Sequence, residues 1–526
     1  MKKYILLFLG WWSLTGFAQE NNSRLVVGIT VSQFYPEWLT IYRNDLGEGG
    51  LKRLMSGGKK TIADYDYLFS QSGTDQVSIY TGLLPSSHGI VAHDWYERLK
   101  GQRENNVASG QYEEIDGDTL KGYSPERLQY FTLGCAMKME NGFSKIYSIG
   151  ANPEEAILSG GSCADMAFWL NEKNGKWTSS RFYADSLPVW LKEYNNHVES
   201  DFFVRRGWMP LSDEQNSRLT LKLKSKVGIG NGFFYDIAQA KRKFNTYRVL
   251  KATPYINTMI ADLAGEVITA NGLGKDNDVD LLMLNFSSLD YMNRDFGVYS
   301  KEFQDLVLRL DKNIEKLFQV LDQKVGKGKY TVFLTFSEAR ELLPEELQRM
   351  KVQGGYFSIF KAVALLKSYL NLVYGDGEWV IDYDAGQLYL NRELIEKQKL
   401  SLKEMQDRVA DFMVEFEGVS KVLTAYSLTH NAFSQGQERL IQNAFFPKRS
   451  GDVLYCLQPS WIPELNDRED FYFRYSKRNK VPLYFFGAGL PESLPVSCKI
   501  QDILPSLCQL MGITVPYSAQ GKTLFQ

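Results

Sequence analysis

The chain has 526 residues, of which 44% are hydrophobic and 23% charged, a composition typical of a folded globular protein with a large core. Its 60 Lys and Arg residues nearly balance 62 Asp and Glu residues, and the resulting net charge of −2 disfavours nucleic acid as a partner. With only 4 His and 5 Cys, a metal site that needs several imidazoles or thiolates can draw on few residues.

Residues 1–18 have the pattern of a secretory signal peptide. Two lysines precede an apolar run over Tyr4–Leu14, and the small residues Gly16 and Ala18 stand just before Gln19. The run is shorter than the about 20 apolar residues that a membrane span needs, and no later stretch resembles a transmembrane helix. We therefore expect a periplasmic or secreted mature chain over residues 19–526. Because the number of cysteines is odd, at least one stays outside an intramolecular disulfide.

Short runs rich in Val, Ile, Leu and Phe recur along the mature chain. They are Arg24–Val31, Ser144–Ile149, Val279–Phe286, Tyr330–Phe336, Asp452–Cys456 and Val481–Phe486. Such runs are typical of strands in a parallel sheet that helices cover on both faces. Apolar residues at spacings of three and four predict an amphipathic helix over Phe303–Leu321 that ends near Gly326. Together these elements predict an α/β fold.

Two regions interrupt this alternation of strands and helices. Residues about 165–250 are rich in Trp, Tyr and Phe, whereas residues about 340–450 contain helical patterns and one alternating, strand-like piece, Gln387–Asn391. We interpret both regions as insertions, or a cap, on a single α/β domain that spans residues 19–526.

An ordered set of motifs carries the chemical information in the chain. The motifs are Gly47-Glu48-Gly49-Gly50, Val77-Ser78-Ile79-Tyr80-Thr81-Gly82, Pro85-Ser86-Ser87-His88-Gly89-Ile90, His93-Asp94-Trp95-Tyr96, Ser288-Leu289-Asp290-Tyr291, and Asp502-Ile503-Leu504-Pro505-Ser506-Leu507 followed by Met511-Gly512-Ile513. In this order they resemble the alkaline phosphatase superfamily, in particular its secreted, broad-specificity monoesterase branch. The resemblance runs from about residue 24 to the C-terminus. It implies a parallel-sheet α/β sandwich, a Thr nucleophile and a two-zinc site at the carboxyl ends of the strands.

Such a site has defined chemical needs. Two zinc ions about 4 Å apart hold the attacking and leaving oxygens of a phosphoryl transfer. They need several carboxylate and imidazole ligands, and a hydroxyl nucleophile needs a metal or a base to activate it. By the resemblance, the nucleophile position falls on Ser72, with Thr74 as a neighbouring hydroxyl.

The metal-ligand positions of the family are largely replaced. Matching the motifs places Ser32, Asp290, Arg294, Ser337, Glu338 and Phe471 at these positions. Only Asp290 is plainly kept, and Glu338 is a displaced second carboxylate. Because one or two carboxylates cannot hold two zinc ions, we predict that no zinc pair binds and that Asp290 instead pairs with Arg294 one helical turn away.

The phosphate-binding positions are replaced as well. The Asn that the resemblance places before Asp94-Trp95-Tyr96 is His93, and the Lys-x-Arg phosphate clamp falls in Ser148–Ile157, which contains only Glu154 and Glu155 as charged residues. Negative charge at this place opposes the binding of a phosphate dianion. His93, Arg294 and Glu338 remain candidate ligand contacts of the altered pocket.

These replacements lead to one functional hypothesis and two alternatives. The hypothesis is a catalytically degenerate member of the superfamily, a pseudoenzyme that serves as an exported binding, scaffold or assembly subunit with a protein partner in the cell envelope. The first alternative is a metal-dependent phosphatase or phosphodiesterase with a site rebuilt around Ser72, Asp290 and Glu338. The second is a protein that binds a small ligand in the altered cleft without catalysis.

Overall fold

The computed structural model describes residues 23–117, 122–197, 199–211, 233–292, 296–337, 342–384, 386–464 and 479–525. The signal-peptide pattern lies outside these residues. In the described part of the chain, none of the helices combines the length and the hydropathy of a membrane span.

The strands are numbered in chain order. They are β1 Leu25–Ser32, β2 Lys59–Asp64, β3 Asp94–Glu97, β4 Gln102–Asn105, β5 Ala108–Glu113, β6 Gly122–Tyr123, β7 Ile146–Ile149, β8 Met166–Leu170, β9 Trp177–Thr178, β10 Asp280–Phe286, β11 Tyr330–Ser337, β12 Gly355–Phe357, β13 Val380–Asp384, β14 Gln387–Leu390, β15 Val419–Thr424, β16 Val453–Leu457, β17 Trp461–Pro463, β18 Lys480–Gly487 and β19 Ser497–Lys499.

The helices are numbered in the same way. They are α1 Trp38–Ile41, α2 Leu51–Gly57, α3 Ser72–Thr81, α4 Pro85–His88, α5 Leu133–Glu140, α6 Pro153–Gly160, α7 Val189–Tyr194, α8 Glu199–Arg206, α9 Ile237–Phe244, α10 Arg248–Lys251, α11 Tyr255–Ala270, α12 Ser288–Tyr291, α13 Lys301–Leu321, α14 Pro344–Arg349, α15 Ile359–Tyr374, α16 Arg392–Lys397, α17 Leu402–Val414, α18 Ala425–His430, α19 Gly436–Ala444 and α20 Ile503–Met511. A π-helical turn, Asp322–Gly326, continues α13, and a 3₁₀ turn, Ile500–Asp502, precedes α20.

One large sheet organises the molecule. Its strand order is β19-β2-β18-β11-β1-β10-β7-β8-β9, and the five strands from β11 to β8 run parallel. All eight residues of β1 are buried, as are all seven of β10, so these strands are covered on both faces. This burial explains why they are continuous apolar runs rather than alternating ones, and it confirms the α/β expectation.

The two faces of β1 are covered by different helices. A side chain at Gly28 would overlap the Tyr80 hydroxyl of α3 and approach Phe333 of β11 within 2.7 Å, so the close approach of α3 requires glycine here. Alternate residues of β1 face the opposite side of the sheet. One of them is Leu25, whose Cβ atom lies beside Gly274 in the loop after α11. Helices α11 and α13 pack together, as do α3 and α6.

The long amphipathic helix is confirmed as α13, which begins at Lys301 with Ser300 as its N-cap. Its Asp311 carboxylate accepts hydrogen bonds from the backbone N–H groups of Gly47 and Leu51, each at 2.7 Å. A side chain at Gly50 would overlap the same carboxylate. The glycine-rich motif therefore has a structural role: it seats the loop before α2 against α13.

Two of the runs that we assigned to the parallel sheet pair differently. The run Asp452–Cys456 becomes β16 in a separate antiparallel sheet with the order β13-β14-β16-β15, and the strand-like piece at Gln387 is β14 of that sheet. The run Val481–Phe486 becomes β18, which lies in the large sheet but runs antiparallel to β11 and β2. Burial on both faces makes a run apolar whatever the direction of its partners, so the pattern does not distinguish these cases.

Candidate functional site

Three adjacent strands of the large sheet have a serine at their last position or directly after it. Ser32 ends β1 and is in register with Ser337 at the end of β11, while Ser287 follows β10 directly. All three side chains are buried. The resemblance predicted metal ligands at this edge of the sheet, and the structure places serine hydroxyls there.

Ser72 is the first residue of α3, and the extended residue Gln71 precedes it. The Ser72 Oγ atom is buried and has no hydrogen-bond partner among the described residues. No imidazole or carboxylate of the described chain therefore contacts this hydroxyl as a base. Asp75, in the first turn of the same helix, instead accepts hydrogen bonds from Tyr67 at 2.7 Å and Ser70 at 2.5 Å. Sequence reasoning did not single out Asp75, and its carboxylate is directed at its own loop.

The Glu154 carboxyl group packs against the first turn of α3. A side chain at Gly73 would overlap this carboxyl group, which shows how closely it approaches the residue after Ser72. His93 forms an ion pair with Glu154, and Asn106 donates to its other oxygen at 2.5 Å. Gln71 accepts the backbone N–H of His93 at 2.5 Å. The structure thus brings the predicted residues His93 and Glu154 together beside Ser72.

Charge explains the protonation of this pair. Burial lowers the pKa of His93, but the Glu154 carboxylate, together with the charges of Asp94 and Asp384, raises it, and the pKa lies above its ordinary value. His93 therefore compensates the negative charge of Glu154 inside the protein. The resemblance placed a phosphate contact at this position, and here the imidazole already has an internal carboxylate as its partner.

Glu155 joins helix α6 to the end of β10. Its carboxyl group accepts hydrogen bonds from Ser287 Oγ at 2.7 Å, from the Asn152 side chain at 3.0 Å and from the Ala151 backbone at 3.1 Å. Burial, and then the nearby charge of Asp290, raises the pKa of Glu155 to about 8. The second carboxylate of the expected clamp segment therefore bridges two elements of the fold.

Asp290 lies on the short helix α12 and is buried. Its proposed partner Arg294 lies outside the described residues, as do Glu338 and Phe471, so the ion pair with Arg294 and the pocket roles of Arg294 and Glu338 stay predictions. Within the described chain, Asp290 acts on Glu155, which is another acid.

The described residues at this edge offer few zinc ligands. Zinc takes thiolate, imidazole or carboxylate ligands, whereas the described strand ends offer the hydroxyls of Ser32 and Ser337 beside the carboxyl groups of Asp290 and Glu155. In the described ranges, His, Cys, Asp and Glu side chains form no group of three or more that could hold a metal ion.

A cavity of about 560 Å³ opens beside His93 and Glu154. Its lining adds acidic, basic and amide groups from distant segments: Asn105, Glu114, Asn171, Glu172, Arg248 and Lys251. Lys251 pairs with Glu172 at 2.7 Å, and Glu114 accepts hydrogen bonds from Trp169 at 2.6 Å and Asn171 at 2.7 Å. These contacts join residues more than 50 positions apart, so no local signal in the sequence identified them.

Known proteins share this architecture. The chain is 26% identical to alkaline phosphatase PafA of Elizabethkingia meningoseptica, over 99% of this chain and 98% of the relative, and 27% identical to alkaline phosphatase PhoV of Synechococcus elongatus, over 95% and 92%. The crystal structure of wild-type PafA superimposes with a TM-score of 0.86, covering 95% of this chain and 98% of the other. The expected superfamily fold is therefore confirmed.

A family model described as type I phosphodiesterase / nucleotide pyrophosphatase matches residues 26–337, which is more than half of the chain and includes the strand ends of β1, β10 and β11. The chain belongs to the type I phosphodiesterase / nucleotide pyrophosphatase family, within the alkaline phosphatase superfamily.

Proposed function

We propose that this protein is an exported family member that has lost phosphoryl transfer and acts by binding, as a scaffold or assembly subunit with a protein partner in the cell envelope. The observation that carries the proposal is the position of Glu154. Its carboxyl group packs against Gly73, the residue after Ser72 in the first turn of α3, and the resemblance places the phosphate clamp in the segment that carries Glu154.

Electrostatics gives this observation its weight. Two like unit charges about 4 Å apart repel by about 4 kcal/mol at an effective dielectric constant of 20. A carboxylate at this place therefore opposes the dianion that a cationic clamp would stabilise. The positive charge of the His93 imidazolium would attract a phosphate, but this charge is already paired with the Glu154 carboxylate.

The nucleophile position supports the same conclusion. A serine hydroxyl needs a base or a metal to attack phosphorus, and the Ser72 hydroxyl has no hydrogen-bond partner in the described chain. The ends of β1, β10 and β11 supply mainly hydroxyl groups, which are weak replacements for zinc ligands. Binding remains available, since the cavity beside His93 and Glu154 is lined by many hydrogen-bonding groups.

Export rests on two observations. Residues 1–18 have the pattern of a signal peptide. Cys135 and Cys163 form a disulfide in the structure, a bond that persists in oxidising compartments and is rare in reducing ones. N-terminal sequencing of the exported protein should find Gln19 first, and a cytoplasmic protein that retains Met1 would contradict export.

The catalytic part is tested with aryl phosphate mono- and diesters, with and without added zinc, beside PafA as a positive control. We expect no turnover above background, no change in Ser72→Ala, and well under two zinc equivalents per chain by elemental analysis. Zinc-dependent turnover that disappears in Ser72→Ala would overturn the proposal and establish a hydrolase with a rebuilt site.

The binding part is tested by purification from the native envelope in mild detergent. We expect the protein to elute with a stoichiometric protein partner. Elution as a lone chain at native expression level would contradict an assembly role.

A further inference from the structure

The Glu154 carboxyl group is held by groups from two other segments of the chain. His93, just before β3, forms an ion pair with it through Nδ1, and Asn106, just after β4, donates to its Oε1 atom at 2.5 Å. Glu154 is 5% exposed and Asn106 is completely buried. The carboxylate is thus bound by one cation and one amide, which are the contacts that a protein makes to a small external anion.

The two donors are positioned by contacts that do not involve Glu154. Gln71 accepts the backbone N–H of His93 at 2.5 Å, and the His93 carbonyl group accepts the backbone N–H of Asn106 at 2.9 Å. The Asn106 side-chain amide also donates to the Ala92 carbonyl group at 3.0 Å. We therefore expect the donors to keep their places when the Glu154 side chain is removed.

Space for the carboxyl group comes from Gly73. A Cβ atom added there would overlap Glu154 Oε1, so the carboxyl group occupies room that any other residue would fill. Glu154 and His93 also line the cavity of about 560 Å³, which is much larger than a small carboxylate ion. Removal of the Glu154 side chain should therefore open a path from the cavity to the place of its carboxyl group.

We propose that His93, Asn106 and the space at Gly73 form a binding site for a small carboxylate ion, and that Glu154 occupies this site in the native chain as a tethered ligand. One imidazolium compensates one negative charge, so the site matches a monoanion rather than a dianion. The chain thus closes the site to external anions with its own side chain. The inference goes beyond the proposed function, since a site filled in this way is required neither by a protein partner nor by the loss of catalysis.

The test is the rescue of Glu154→Ala by sodium formate. Thermal unfolding is measured at mildly acidic pH, which keeps the imidazole charged, with sodium chloride at equal ionic strength as the reference. The variant should unfold at a lower temperature than the unchanged protein, and formate should restore part of this loss in a saturable way. Formate at ten times its Kd should raise the ratio of folded to unfolded protein about tenfold. If Glu154→Ala does not fold in chloride, recovery of the circular dichroism spectrum of the folded protein in formate is the same test.

Glu154→Gln is the matched control, because its uncharged side chain keeps the place filled. It should respond to formate no more than the unchanged protein does, and the double variant Glu154→Ala/His93→Gln should lose the response. In Glu154→Ala, formate should also shift the His93 signals in the proton NMR spectrum, which a general effect of salt on stability would not do selectively.

Three results would overturn the proposal: an equal response in Glu154→Gln, a response that survives in the double variant, or no response in Glu154→Ala. Turnover of aryl phosphates by the unchanged protein would contradict the proposed function but not this site, so the two failures are distinguishable.

Discussion

The two ends of helix α3 differ in what their side chains do. At its C-terminal end, Thr81 donates to the Val77 carbonyl at 2.6 Å, Gly82 takes the left-handed conformation that ends the helix, and Ser78 contacts His88 of the next turn at 3.0 Å. At its N-terminal end, the Ser72 hydroxyl has no partner in the described chain, and the Glu154 carboxyl group covers Gly73.

Within the ten residues of α3, the C-terminal end therefore has a structural role, whereas the N-terminal end carries the predicted nucleophile position. The motif residues at the C-terminal end match the superfamily and are fully used by the fold. Those at the N-terminal end stand where the resemblance places the nucleophile, and our proposal is that they no longer support the reaction. That proposal requires a fold to keep the contacts that hold it together after its reactive groups are replaced.

The largest effect on stability should come from a substitution at the C-terminal end of α3. His88 is completely buried, and its Nδ1 accepts the Ile90 N–H at 3.1 Å, so Nε2 donates to Ser78 Oγ. His88→Ala leaves a cavity and two buried polar groups without partners, and should lower the free energy of unfolding by about 2–4 kcal/mol. Urea denaturation measures this. Ser78→Ala, the matched variant, should cost only about 1 kcal/mol; a near-neutral His88→Ala would show that this turn is not part of the scaffold.

The same residue should make stability depend on pH. Burial, and then the nearby charge of Arg449, lowers the pKa of His88 from 6.5 to about 3. Between these values the unfolded chain binds a proton that the folded chain does not, so stability should fall as the pH drops from 6.5 towards 3 and should not change through His88 above that range. Denaturation of the protein and of His88→Gln across this window should show a shallower decline in the variant; parallel curves would contradict the assignment.

A smaller effect should follow from breaking the His93–Glu154 pair beside the N-terminal end of α3. The pKa of His93 is raised in the folded protein, so its contribution to stability is complete below the unfolded value and disappears as the pH rises through the folded value. Glu154→Gln should lower the pKa of His93 and destabilise the protein by about 1–3 kcal/mol at acidic pH, and by less at alkaline pH.

Proton NMR can follow this imidazole because the chain has only 4 His, and His93→Gln assigns its signal. An unchanged His93 titration in Glu154→Gln would show that Glu154 is not its partner in solution.

The smallest effect should come from Ser72 itself. Removing a buried hydroxyl that has no partner leaves nothing unsatisfied, so Ser72→Ala should be neutral or stabilising by up to about 1 kcal/mol. Thermal unfolding beside Thr81→Ala, which loses a hydrogen bond to the helix backbone, provides the comparison. Destabilisation of Ser72→Ala beyond that of Thr81→Ala would indicate a partner for this hydroxyl in solution.

Sequence patterns predicted much of this architecture. The strands β1, β10 and β11 and the helix α13 were placed within two residues at each end, because continuous apolar runs and spacings of three and four report burial directly. The order of the motifs predicted the superfamily, which the relatives and the PafA structure confirm. Patterns did not distinguish β16 and β18 from parallel strands, since burial does not specify the direction of a partner.

The sequence, through its resemblance to the superfamily, predicted which residues stand at the reaction positions: Ser72 for the nucleophile, serines after the central strands, and acids in the clamp segment. Only the tertiary structure decided what those residues contact. Glu154 pairs with His93 across 61 positions and Glu155 accepts from Ser287 across 132, and such contacts depend on how α6 packs against α3 and β10. The charge and burial around a residue are set by elements that are distant in the chain. A local sequence pattern therefore identifies the residues at a site but does not predict their environment.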